Sequence, residues 1–191
     1  MIDWDRWRQA HASLTFADQQ AFYENVAVSH PEQRSFNPAS AGAAFDYIAG
    51  ENLVVLELGG WDGYLASLML ERGDIFSWTN YDIVAVPQAC SHPCYRLVVL
   101  EDYFWNQPQA RADVFVACHT IEHLTTAELA KLFNVLRTPY VYLEAPLPDV
   151  GSTNWAGYAG SHILELSWVQ VDEFLQEHGY KWQMTNLWQH L

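Results

Sequence analysis

Leu53-Val54-Val55-Leu56-Glu57-Leu58-Gly59-Gly60-Trp61-Asp62-Gly63 changes character halfway along. Its first part is a short apolar, β-branched run of the kind that fills a buried parallel strand. The glycines that follow let a backbone turn sharply and let a ligand approach without meeting a Cβ atom. Directly after them, Tyr64-Leu65-Ala66-Ser67-Leu68-Met69-Leu70-Glu71-Arg72 is rich in helix formers and is closed by Gly73, the usual residue just past a helix end. Strand, glycine turn and helix thus succeed one another without a spacer. Alone, such a turn serves equally as a ligand cradle or as a tight connection.

Outward from this unit the pattern repeats. Strands are predicted over Ile75 to Tyr81, Tyr95 to Leu100, Asp113 to Cys118 and Tyr140 to Glu144, with a last one over Tyr180 to Leu187. Thr125-Thr126-Ala127-Glu128 and Ser167-Trp168-Val169-Gln170 are capping boxes, each opening a helix with a regular apolar face. Upstream, Phe16 to Val28 and Ser40 to Ile48 read as helices. The fold class is α/β: a doubly wound, mainly parallel sheet covered on both faces, with every strand-to-helix loop brought to one edge. Ligands of such sheets bind at that edge. A single domain is expected over 1–191, with 1–50 a helical cap and 51–191 the α/β core. The irregular stretch Pro146 to Ser161 carries Trp155 and Tyr158 and is a candidate substrate lid.

The chain holds 23 acidic residues against 9 Lys and Arg, a formal net charge of −14. That field repels phosphate backbones and anionic lipid, so neither nucleic acid nor membrane is an expected partner, whereas a cationic ligand is favoured. The start of the sequence has no apolar leader, and no stretch is long and uncharged enough to span a bilayer. With only three cysteines, Cys90, Cys94 and Cys118, a disulfide framework is not indicated, and a cytoplasmic location is expected. Cys90-Ser91-His92-Pro93-Cys94 lacks a second ligand pair and falls short of a zinc site. No metal is expected.

A dinucleotide fingerprint would need glycines where Trp61 and Tyr64 stand. With Glu57 before Gly59 and Gly63 after it, the segment instead resembles the E-x-G-x-x-x-G turn of class I S-adenosylmethionine-dependent methyltransferases; the place that is commonly glycine there is taken by Trp61. Asp82 stands where the family has its ribose-binding acid, about twenty residues past the turn. Asp102 is similar to the acid that meets adenine, with Tyr103 able to pack on the base. Ala117-Cys118-His119-Thr120-Ile121-Glu122-His123-Leu124 resembles the family's segment ending in "EHL", and His162 to Tyr180 its capped-helix ending.

The resemblance runs from about Leu53 to about Lys181. It implies S-adenosylmethionine as cofactor, held by Glu57, Gly59, Gly60, Gly63, Asp82, Asp102 and Tyr103, and methylation of a small molecule at oxygen, nitrogen or carbon. It also implies that the last antiparallel strand is missing or comes from another subunit, so a homodimer is an option. The donor's methyl is already activated, and the enzyme need only align the reactants and remove a proton. His119 and His162 are the candidate bases, while His123 is expected to be structural. Two rival readings stay open: an idle relative that binds the cofactor or a partner, and a sugar or nucleotide enzyme on the same frame.

Overall fold

The computed structural model describes residues 10–29, 44, 46–48, 50–108, 111–145, 163–164 and 167–181. Five strands form one sheet: β1 (Leu53–Leu58), β2 (Ile75–Asp82), β3 (Tyr95–Val99), β4 (Val114–Cys118) and β5 (Tyr140–Glu144). Their order is β3-β2-β1-β4-β5, and every pairing is parallel. The helices are α1 (Phe16–Ser29), α2 (Tyr64–Leu70), α3 (Thr126–Val135) and α4 (Trp168–Glu177). Each predicted strand before Tyr180 is present, with ends that differ by at most one residue.

Alternation along the central strands explains the layering. On β4, Val114, Val116 and Cys118 join one apolar cluster, while Phe115 and Ala117 join the other. Side chains of a strand point to opposite faces in turn, so a strand buried on both faces must be apolar throughout, as Val114-Phe115-Val116-Ala117-Cys118 is. The first cluster packs α2, through Leu65, Ala66, Met69 and Leu70, against the sheet together with Ala44 and Ile48. The second packs α3, through Leu129, Leu132 and Phe133, and α4, through Val171 and Leu175, against the opposite face.

Both predicted capping boxes are formed. Thr125 Oγ1 accepts from the Glu128 amide at 3.2 Å, and Glu128 Oε2 accepts from the Thr125 amide at 2.8 Å. Ser167 and Gln170 repeat the arrangement at the start of α4. Helix α1 is different: it buries only Gln19 and Val26. Its Phe16 ring packs on the second cluster and Gln20 Nε2 donates to the Ile83 carbonyl at 3.0 Å, while in the turn before it His11 Nε2 lies 3.3 Å from Glu128 Oε2.

Of the predicted helix Ser40 to Ile48 only Ala44 and residues 46–48 are described; 44, 46 and 47 are helical. The loop Pro146 to Ser161 and all but the first two residues of the predicted last strand lie outside the described residues, and Tyr180 and Lys181 are not in a strand. Among the described residues no helix is long and apolar enough to cross a membrane.

Removing the Thr125 hydroxyl deprives the first turn of α3 of its N-cap acceptor. T125A is expected to lower the unfolding free energy by about 1 kcal/mol, read from urea denaturation.

Candidate functional site

Parallel pairing brings the carboxyl ends of all five strands to one edge. At its centre the turn after β1 is fastened from below by alternate residues of β2, which share one face of the sheet. Trp78 Nε1 donates to Glu57 Oε2 at 2.8 Å, Asn80 Oδ1 accepts from the Gly60 amide at 2.9 Å, and Asp82 Oδ2 accepts from the Trp61 amide at 2.7 Å. Gln88 Nε2 adds a bond to the Trp61 carbonyl at 3.2 Å, and the Tyr95 hydroxyl donates to Gln88 Oε1.

The glycines are required by these protein neighbours. A Cβ on Gly60 would collide with the Glu57 carboxyl, and one on Gly59, where φ is +72°, with Thr120 Oγ1. On Gly63, with φ +71°, it would lie 2.6 Å from the Tyr95 hydroxyl oxygen. The sequence reads these glycines both as a sharp turn and as room for a ligand; on the side where a Cβ would point, the space beside each is filled by the chain itself. Trp61 has φ +50° in the same turn. A bulky residue in this region is strained by about 1 kcal/mol or more and persists only where its surroundings dictate the conformation.

Glu57 is only 1 % exposed and lies beneath the turn. Burial raises its pKa from 4.5 to about 8, opposed by the Trp78 hydrogen bond and assisted by the charges of Asp82 and Asp62. It is therefore largely protonated at neutral pH and supports the turn from inside. Asp82 faces the turn, as expected of it, but is 3 % exposed. Burial lifts it from 3.8 to about 6, against the pull of backbone amides, chiefly those of Val84 and Trp61.

At the end of β3, Asp102 is exposed and organises the following helical turn, Phe104–Asn106. Its Oδ1 accepts from the Tyr103 amide at 2.7 Å and its Oδ2 from Asn106 Nδ2 at 3.0 Å. Tyr103 stacks on Trp105 at 4.9 Å, meets the edge of Phe16, and donates its hydroxyl to the Leu14 carbonyl at 3.3 Å. The ring assigned to a ligand base is thus engaged with the segment that leads into α1. The same helix carries Tyr23 to the edge, where its ring meets His123 edge-on at 6.1 Å. Burial raises the Tyr23 pKa, and the negative charges of Glu122, Asp82 and Glu128 raise it further.

His119, just past β4, also has positive φ, +52°. Its Nδ1 is 3.6 Å from Glu122 Oε1 and its Nε2 is 3.6 Å from Glu144 Oε1. Burial alone would lower its pKa, but the two carboxylates outweigh that and raise it from 6.5 to about 10. The two carboxylates favour the imidazolium form, whereas a general base needs the neutral ring. Tyr142 donates to Glu144 Oε2 at 3.1 Å, which completes a cluster at the ends of β4 and β5. His123 closes the short helical turn Ile121–His123 beside Glu122. His162 lies outside the described residues.

Sequence reasoning missed Trp78, Asn80, Thr120 and Glu144. The available signal was the placement of Trp78, Asn80 and Asp82 at every second position of β2, one face of a strand. Glu57 supplies a direct test. Because its folded pKa lies above its unfolded value of 4.5, its protonated form stabilises the fold fully below that value, and this stabilisation is lost as pH rises through about 8. E57Q, neutral throughout, is expected to lose less unfolding free energy than the parent between about pH 5 and about pH 9 in urea titrations. An equal loss would show the carboxyl to be ionised throughout.

No protein-family model matches the sequence, and no curated protein sequence matches it. Solved structures do. A chain of the complex between the Haloferax volcanii Trm112 methyltransferase activator and a methyltransferase superposes with a TM-score of 0.57 at 12 % identity, over 94 % of this chain and 76 % of that one. The methyltransferase domain of bacterial CtHen1-C gives 0.53 at 16 % identity, covering 74 % and 80 %. For the CurJ carbon methyltransferase the values are 0.52 and 16 %, over 71 % of this chain; the match spans only 44 % of that longer one. Parallel strands in the order β3-β2-β1-β4-β5, a glycine turn after the central strand and these likenesses agree that the chain has the fold of the class I S-adenosylmethionine-dependent methyltransferases.

Proposed function

We propose that this chain is an S-adenosylmethionine-dependent methyltransferase acting on a small molecule. The observation that carries the reading is the Asp82 carboxylate at the end of β2, held against the turn after β1 by the Trp61 amide at 2.7 Å. Its residues suit the cofactor. Asp82 accepts from two backbone amides, at 2.7 and 3.1 Å, and a carboxylate offers about four acceptor positions, which leaves capacity for ribose hydroxyls. Asp102, exposed at the next strand end, can accept from an adenine amino group. Gly59, Gly60 and Gly63 shape the turn, with Glu57 behind it, and Tyr103 bounds the edge beside Asp102. Since Asp82 is only 3 % exposed, entry of a ribose requires the elements packed over this edge to yield, and α1 is held with little apolar burial.

Bound at this edge, the cofactor supplies an activated methyl group on a sulfonium. The residues of the chain orient the reactants and receive the acceptor's proton. His119 is already protonated between its two carboxylates, so the proton acceptor is assigned to Glu144, 22 % exposed, in preference to Glu122, 1 % exposed. The imidazolium holds Glu144 in place and can donate to the acceptor once it rotates toward it. His162 is kept as a second candidate on the sequence pattern alone. The net charge of −14 supports a small or cationic acceptor over a nucleic acid. Binding without turnover is the second reading, favoured by the charged state of His119.

Calorimetric titration with S-adenosylmethionine and S-adenosylhomocysteine tests the first step: binding is expected, and its absence at millimolar concentration would leave only the fold. Ribose hydroxyls prefer the ionised carboxylate, so affinity is expected to increase with pH through about 6 and then level off. D82N should weaken binding by about tenfold or more and flatten that pH profile. Transfer of a labelled methyl group to any member of a small-molecule panel separates turnover from binding alone.

A further inference from the structure

The turn after β1 is held on a second side, by groups that come from beyond β2. The Tyr95 hydroxyl, at the start of β3, accepts from Asn80 Nδ2 at 3.2 Å and donates to Gln88 Oε1. Gln88 belongs to the segment that joins β2 to β3, and its Nε2 donates to the Trp61 carbonyl at 3.2 Å and to the Val86 carbonyl at 2.7 Å. Beside it, the Ala89 amide donates to the Asp62 carbonyl at 2.7 Å. Asn80 itself accepts from the Gly60 amide and reaches the Trp61 carbonyl from further off, at 3.5 Å. A circuit of hydrogen bonds thus leaves the turn at Gly60, passes through Asn80, Tyr95 and Gln88, and returns to it one residue later.

Gly63 belongs to the same arrangement. A Cβ there would lie 2.6 Å from the Tyr95 hydroxyl oxygen and 3.2 Å from Gln88 Oε1, the two atoms that the Tyr95 hydrogen bond joins. The last glycine of the turn therefore makes room for this bond as well as supplying a positive φ. Burial raises the Tyr95 pKa, so the hydroxyl keeps its proton at neutral pH and remains a donor. Hydrogen bonds that donate in series polarise one another and order their members as a unit. Side chains of β2 take the amides of the turn; Gln88 and Ala89 take its carbonyls.

We propose that Tyr95 is a positioning residue of this site: acting through Gln88, its hydroxyl fixes the carbonyl side of the turn and so sets the turn against the segment that follows Asp82. The ligand half of this inference rests on the proposed function, because it takes the cofactor to bind between those two parts. The ordering of the turn does not.

The test joins amide exchange of the ligand-free protein with calorimetry, on the parent, Y95F, Q88A and the double variant. S167A, which loses the N-cap of α4 and stands outside the circuit, is the control for stability alone. In Y95F the Trp61 and Gly63 amides are expected to exchange about tenfold faster while that of Leu56 in β1 is unchanged, and affinity for S-adenosylmethionine is expected to fall about three- to tenfold. Q88A should act alike, and the double variant should lose no more than Q88A, because both changes open one circuit. S167A should lower the melting temperature and keep the parent's affinity. Unchanged exchange of Trp61 and Gly63 in Y95F, a parental affinity in Y95F, or losses that multiply in the double variant each overturn the inference and leave the proposed function standing. A parent that binds neither S-adenosylmethionine nor S-adenosylhomocysteine overturns the functional reading and the ligand half of this inference, while the exchange rates still decide whether Tyr95 orders the turn.

Discussion

Everything at the carboxyl edge depends on a column of polar side chains inside β2. Trp78, Asn80 and Asp82 occupy alternate positions, and each takes hold of a successive part of the segment after β1: a carboxyl, then a glycine amide, then the amide of Trp61. Asn80 is fully buried and Asp82 nearly so. Polar groups at such depth are tolerated only when they are hydrogen-bonded, and once they are, they specify one geometry. The column therefore fixes the turn before any ligand arrives. A strained tryptophan can sit there because three hydrogen bonds leave its backbone no alternative.

Charge at this edge is arranged in two groups of different character. Beneath the turn, Glu57 is kept largely neutral by burial, and Asp82 sits close enough to neutrality to respond to a ligand. At the ends of β4 and β5, His119 is kept cationic by Glu122 and Glu144. In the second, the imidazole lies between two carboxylates, 3.6 Å from each.

Periodicity alone conveyed the architecture. The run Leu53–Leu58, the two capping boxes and the strand ahead of Asp82 depend on neighbours a few residues apart in the chain, and these are present with nearly the expected bounds. What a side chain meets across the fold was not legible. Tyr103 reads as a ring free to stack on a ligand until Phe16 and Leu14 are brought beside it. That His119 lies 3.6 Å from Glu144 of the neighbouring strand could not be read from its own segment. Likewise, Thr120, bonded to the Leu58 carbonyl at 3.0 Å, fills the space where a Cβ on Gly59 would point. In each case the deciding partner lies on a different element, and a pattern read along the chain carries no information about it.

Helix α1 rests on the edge through glutamine amides and ring edges, with little of its surface removed from water. The free energy that separates its docked from its detached state is accordingly a fraction of that of the whole domain. Its backbone amides should exchange with solvent through local opening long before those of β1 or β4 do. Detachment of α1 would free the Tyr103 hydroxyl and the Ile83 carbonyl from its glutamines while the hydrogen bonds of the sheet stay intact.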